Sequence, residues 1–198
     1  MKNLKKIIFP IFSLFLFYRT IELIGYLNSN SSNEFSILEI VTISFLLTLF
    51  ITGIFAFIGF AYPTNRLLPE SYYKIKNPKL LEYLYKILGL KYFRIILLIT
   101  FWGIKKNRKK YFNGTKKGLT NFIYQTKQSE FGHLGAFFMT LICSIMLLLN
   151  RFYLIVLIMT LLNIIGNVYP IILQRFHRIR IEKITNYNKD CEKKVKMY

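Results

Sequence analysis

The chain has 198 residues, 54% of them hydrophobic and 17% aromatic, with a mean hydropathy of +0.37. Its 28 Lys and Arg against 9 Asp and Glu give a formal net charge of +19. A basic balance serves nucleic acid or an anionic membrane surface; here the cations flank long apolar runs and no nucleic-acid motif occurs, which excludes a soluble basic domain. Two cysteines, Cys143 in an apolar run and Cys191 in the basic tail, make neither a disulfide framework nor a zinc site.

Four segments are long enough to cross a bilayer, which takes about 20 residues. The first covers residues 7–27. Lys2, Lys5 and Lys6 imitate the start of a signal peptide, but Pro10, Arg19 and Glu22 interrupt the apolar run and no small-residue cleavage site follows, so a retained helix is expected. Arg19 and Glu22, three residues apart, are expected to pair and to face the bundle. The second span, 40–62, carries no charge, and Tyr62-Pro-Thr-Asn-Arg-Leu-Leu-Pro69 leaves it as a rigid exit. From Leu80 to Trp102, apolar and basic residues alternate at near-helical spacing. Lys86, Lys91 and Arg94 interleaved with aromatics suit a helix in the interface or a re-entrant one. The cluster Lys105-Lys-Asn-Arg-Lys-Lys110 suits anionic lipid headgroups, and equally a solvated anchor. The third and fourth spans, 131–149 and 152–173, are separated only by Asn150-Arg151, which predicts a tight antiparallel hairpin. The expected fold is all-α: a polytopic membrane protein of about four transmembrane helices plus an interfacial or re-entrant amphipathic helix, in a single integral membrane domain.

Loop charge sets the orientation. Residues 63–130 hold fifteen cations, the tail after Leu173 eight and the N-terminal tail three, whereas Asn28 to Asn33 hold none. Placing both termini and the middle segment in the cytoplasm puts 26 of the 28 cations inside.

Glu130 and His133 are neighbours on one helix face. A carboxylate beside an imidazole sets its tautomer and raises its basicity, as in general-base sites; the same pair also serves as a polar cap where a helix enters the bilayer. Di-iron bundles share the Glu-x-x-His spacing but need a second such motif. The only other histidine is His177, so no metal is expected. Asn163, Asn167, Gln174 and Arg178, spaced by 4, 7 and 4, share one face of the fourth helix, and polar residues within a span face other helices or a cavity. Pro170 can kink this helix and free a backbone carbonyl. Arg175, Arg178 and Arg180 lie just past the span, where guanidinium forks suit phosphate; interhelical bonding and charge anchoring are the plainer reading. The two-residue turn at 150–151 predicts that Glu130 and His133 approach Gln174, Arg175 or Arg178, since packed helices lie about 8–10 Å apart.

Two motifs in this region carry a resemblance. Thr126-Lys-Gln-Ser-Glu-Phe-Gly-His133 is similar to the Thr-Lys-x-x-Glu-x-x-His of the glycosyl-4,4'-diaponeurosporenoate acyltransferase family, small membrane enzymes of bacterial carotenoid biosynthesis. Asn167-Val-Tyr-Pro-Ile-Ile-Leu-Gln-Arg-Phe-His-Arg-Ile-Arg180 resembles that family's Asn-x-x-Pro-Ile-x-x-Gln-Arg-Tyr-Asn-Arg-x-Arg, with His177 at the usual Asn. Leu84-Tyr-Lys-Ile-Leu-Gly-Leu-Lys-Tyr-Phe-Arg94 weakly echoes its amphipathic stretch. The match lies mainly in residues 124–181. The resemblance implies transfer of a fatty acyl group from an acyl-carrier thioester to a sugar hydroxyl of a glycosylated carotenoid or similar glycolipid, with no further cofactor, at the bacterial cytoplasmic membrane. It implies that His133, oriented by Glu130, takes the hydroxyl proton and that Gln174 and Arg175 stabilise the thioester oxyanion. Arg178, Arg180 and the basic cluster at 105–110 would hold the donor's phosphopantetheine, and Asn163 and Asn167 would line the substrate site. The competing expectation is a non-catalytic membrane scaffold or lipid-binding subunit, in which Glu130, His133 and Gln174 are interhelical hydrogen-bond partners.

Overall fold

A segment crossing hydrocarbon must satisfy its backbone N–H and C=O groups internally, which an α-helix does. The computed structural model describes residues 2–100 and 115–195, and every regular element among them is helical. The order is α1 (Lys2–Asn28), a 3₁₀ turn (Ser32–Glu34), α2 (Ile37–Ala61), a second 3₁₀ turn (Thr64–Arg66), α3 (Glu70–Tyr73), α4 (Pro78–Ile87), α5 (Leu90–Thr100), α6 (Lys116–Leu149), α7 (Tyr153–Asn163), a π-helical turn (Ile164–Val168) and α8 (Tyr169–Val195). Four stretches, Leu4–Asn28, Ile37–Ala61, Gly118–Leu149 and Tyr153–Thr185, are long and apolar enough to cross a membrane. This is the all-α polytopic membrane fold expected from hydropathy. α6 begins well before residue 131, so the polar stretch ahead of the third span is helical too. The basic cluster at 105–110 lies outside the described residues. The chain divides into two compact units, Met1–Thr64 with Ser129–Ile171, and Asn65–Gln128 with Ile172–Tyr198.

In the first unit, α2 starts where Ser36 closes a capping box: its hydroxyl accepts from Glu39 N–H at 3.3 Å while its own N–H donates to Glu39 Oε2 at 2.8 Å. α1 lies along α2. Phe9 and Phe12 stack on Phe57, and Ser13 Oγ donates to the Ile54 carbonyl at 3.2 Å. Leu27, Leu47, Ile51, Leu147, Ile155 and Met159 form the buried core. Lipid is as apolar as these side chains, so close packing rather than escape from water holds such helices together. Small residues on α6 serve that packing: Ala136, Thr140 and Ser144 are buried at four-residue spacing. At Gly135 an added Cβ would collide with the Phe55 ring of α2.

The hairpin turns through a Schellman motif. Phe152 N–H donates to Leu147 C=O and Arg151 N–H to Leu148 C=O, both at 3.0 Å, with Arg151 at φ 65°. Asn150 Nδ2 then donates to Asn28 Oδ1 at 3.2 Å, tying the tip to the end of α1. Arg19 and Glu22 do pair, but not toward the bundle as their cost in lipid led us to expect. Their side chains are 41% and 47% exposed, because α1 turns Ser13 and Thr20 inward instead.

In the second unit, Asn77 caps α4 by accepting from Leu80 N–H at 3.1 Å, with Pro78 in the first turn. The amphipathic run from Leu80 is not one helix. Gly89 sits at φ +62°, a conformation that suits glycine, and splits it into α4 and α5. Tyr85 of α4 stacks on Phe176 of α8 with centroids 4.0 Å apart, and Phe122 of α6 approaches His177 at 5.4 Å. Lys183 donates to Glu82 at 2.7 Å and holds that carboxyl below the usual carboxylate range.

The hairpin cap carries a stability prediction. Arg151 occupies a left-handed position that costs any residue with a Cβ about 1 kcal/mol relative to glycine, and a β-branched one more. Arg151→Gly therefore raises the unfolding midpoint in an SDS titration of the detergent-solubilised protein, and Arg151→Val lowers it. Equal midpoints for the two variants would contradict the cap.

Candidate active site

The eight candidate residues fall into two groups. Glu130, His133, Asn163 and Asn167 belong to the first unit, and Gln174, Arg175, Arg178 and Arg180 to the second.

The first group is built on the π-helical turn. Pro170 has no N–H, and its ring would press on the carbonyl of Gly166, four residues back. The helix widens just ahead of it, so that Tyr169 N–H reaches the Ile164 carbonyl, five residues back. The wide turn holds Asn167 fully buried, one step beyond the buried Asn163. It also breaks the uniform period from which the 4-7-4 spacing was reckoned, so that arithmetic does not carry past residue 168.

The hydrogen bonds of this group can be oriented from one fixed point. The backbone carbonyl of Phe137 can only accept, so the group of Asn163 that faces it at 3.2 Å is the amide Nδ2. Asn163 Oδ1 therefore faces Asn167, which donates to it from Nδ2 at 2.9 Å. That leaves Asn167 Oδ1 toward the imidazole, 3.1 Å from His133 Nδ1. An amide oxygen only accepts, so Nδ1 carries the proton, and in the neutral ring Nε2 keeps its lone pair. Thr52 of α2 supports the same amide, with its hydroxyl 3.3 Å from Asn167 Nδ2. The group that holds Nδ1 is thus Asn167. Glu130 is fully buried one helical turn earlier.

The second group surrounds α3. Arg178 is buried, with its guanidinium carbon 5.5 Å from the centre of the Tyr73 ring; Arg175 lies 4.9 Å over Tyr72. Guanidinium planes stack well on aromatic faces. Lys127, from the first sequence motif, lies 5.2 Å from the same Tyr73 ring and is engaged by both carboxylate oxygens of Glu70. A cleft of about 350 Å³ is lined here by Lys74, Lys127 and Arg178 and by the carboxylates of Glu70 and Glu182. Arg180 is exposed and is not among the residues lining this cleft.

Sequence reasoning missed Thr52, Tyr72 and Tyr73. Thr52 had a signal: Ser44, Thr48 and Thr52 recur every four residues in an otherwise apolar span, and the first two are buried. The adjacent tyrosines behind Pro69 had none beyond their proximity to a proline.

The imidazole orientation is directly measurable. Nitrogen NMR of the histidine-labelled protein in detergent gives a protonated Nδ1 and an unprotonated Nε2 for His133, and Asn167→Leu converts this to a mixture of tautomers. A protonated Nε2 in the unaltered protein would overturn the orientation derived from Phe137.

No curated protein and no solved structure matches the chain. The model of the glycosyl-4,4'-diaponeurosporenoate acyltransferase family matches residues 69–187, more than half of the length. That region holds all eight candidate residues and both arginine-stacking tyrosines, and leaves out Thr52. With the four apolar helices, this match shows a membrane-bound acyltransferase of bacterial carotenoid biosynthesis: the chain belongs to the glycosyl-4,4'-diaponeurosporenoate acyltransferase family.

Proposed function

We propose that the chain moves a fatty acyl group from an acyl-carrier thioester to a sugar hydroxyl of a glycosylated carotenoid, with His133 as the general base. The observation that carries this is the chain Phe137 C=O, Asn163, Asn167, His133, which leaves Nε2 as a proton acceptor. In this reading Nε2 takes the hydroxyl proton as the oxygen attacks the thioester carbonyl carbon. The tetrahedral oxyanion collapses, the C–S bond breaks, and the thiolate leaves with the proton returned from the imidazolium. Glu130 supports the imidazole from its buried position. Asn163 and Asn167 border the sugar, while the polyene lies among the spans. No cofactor beyond the thioester enters.

Donor binding is assigned to the arginines of α8. Buried Arg178 beside a cleft lined by both signs of charge suits phosphopantetheine, which carries a phosphate and two amides. Exposed Arg180 and the basic cluster at 105–110 complete the attraction to an anionic carrier and to anionic lipid headgroups. Both termini and residues 63–130 are assigned to the cytoplasm, where the carrier is found.

Two experiments check this reading. In the purified enzyme, His133→Ala lowers acyl transfer by about 10²–10⁴-fold, and Asn167→Leu by about 10–100-fold, the usual loss when a supporting hydrogen bond is removed. Arg178→Ala raises the donor KM by roughly tenfold to a hundredfold with kcat little changed, matching a lost charge-assisted bond of about 1.5–3 kcal/mol. Full activity in the correctly inserted His133→Ala variant would remove the catalytic assignment. For orientation, single cysteines at 28–34 label with a membrane-impermeant maleimide from outside intact cells, and cysteines at 105–117 do not; the reverse pattern would invert the topology.

A further inference from the structure

The ion pair of α1 is placed where a bilayer tolerates charge least. The span Leu4–Asn28 has its midpoint near residue 16. At a rise of 1.5 Å per residue, Arg19 lies about 5 Å and Glu22 about 9 Å from that midpoint, inside a hydrocarbon half-thickness of about 15 Å. Charged groups at this depth ordinarily face a bundle interior or a cavity. These two face outward, 41% and 47% exposed. Arg19 donates to Glu22 from Nη1, which engages one of its five N–H groups. Long cations can reach toward the headgroups, but the short Glu22 side chain holds its carboxylate within the slab. The exposed aromatic rings of Phe15, Tyr18 and Tyr26 flank the pair on the same side of the helix.

A face that carries both signs one helical turn apart is self-complementary. Two copies inserted in the same direction can be related by a twofold axis along the membrane normal. The axis brings the two charged pairs to the same depth, where each Arg19 meets its own Glu22 and that of the other copy, in a closed ring of four alternating charges. We propose that this face of α1 is a self-association surface at which a second copy of the chain packs. The charge pattern selects a second copy over lipid or a polyene, neither of which offers a matching carboxylate and guanidinium at this depth.

The test uses full-length copies fused to donor and acceptor fluorescent proteins, reconstituted in phosphatidylcholine vesicles over a range of protein-to-lipid ratios. Energy transfer between unaltered copies rises above the random-proximity level and saturates. Arg19→Glu paired with itself, and Glu22→Arg paired with itself, each associate roughly tenfold more weakly, since an attractive contact becomes a like-charged one. Mixing Arg19→Glu copies with Glu22→Arg copies restores association. The doubly altered Arg19→Leu/Glu22→Leu chain, which inserts more readily than the original, also loses association. Random-proximity transfer between unaltered copies would overturn the proposal. So would unaltered association of the double-leucine chain, or failure of the mixture to recover.

Discussion

A polar group inside an apolar helix bundle must find its partner within the protein, because no water is there to supply one. The first unit meets this demand with a hydrogen-bonded chain that runs from the Phe137 carbonyl through Asn163 and Asn167 to His133. Each amide has a fixed donor end and a fixed acceptor end, so anchoring one end on a carbonyl orients every later member. The consequence reaches the imidazole, whose proton is directed to Nδ1. A structural need, satisfying buried amides, thereby sets the protonation pattern that a base requires. In a medium of low dielectric such a chain is also stiffer than the same groups in water.

The helices are shaped so that this chain can close. Pro170 forbids a regular turn ahead of it, and the π-helical widening at Ile164–Val168 is how the backbone accommodates the ring. Gly135 admits Phe55 at a distance that a side chain would prevent, which draws α2 close enough for Thr52 to reach Asn167. The short Asn150-Arg151 turn returns the chain antiparallel, so that Phe137 and Asn163 come opposite one another from 26 residues apart. Each device is local, and their joint effect is one imidazole held in one orientation.

In the second unit, aromatic rings do for cations what the amides do for histidine. Tyr72 and Tyr73 present faces to Arg175 and Arg178, while Glu70 engages Lys127. A guanidinium stacked on a ring keeps its in-plane N–H groups directed outward from the stack, which suits it to an anion. The clustering of cations in this stretch therefore contains two different populations: buried and half-buried arginines stacked on tyrosines, and exposed ones such as Arg180 that set charge but not geometry.

Much of the architecture is legible in the order of residues alone. Long uncharged runs must be helices in lipid, the cation asymmetry is a count, and a two-residue gap between spans leaves only a hairpin. The pairing of Arg19 with Glu22 follows from helical spacing as well, yet its outward direction does not, since it depends on which face of α1 meets α2. The candidate site shows the same division. His133, Asn163 and Asn167 are conspicuous as polar residues among apolar ones, and the motifs around them carry the family. That Asn167 holds Nδ1 was not legible, because it requires contact across 34 residues of chain and a turn that departs from the α-helical period. The break at Gly89, the tyrosines under the arginines and the support from Thr52 belong to the tertiary structure for the same reason. Spacing along a helix reports which residues share a face, and only packing decides what that face meets.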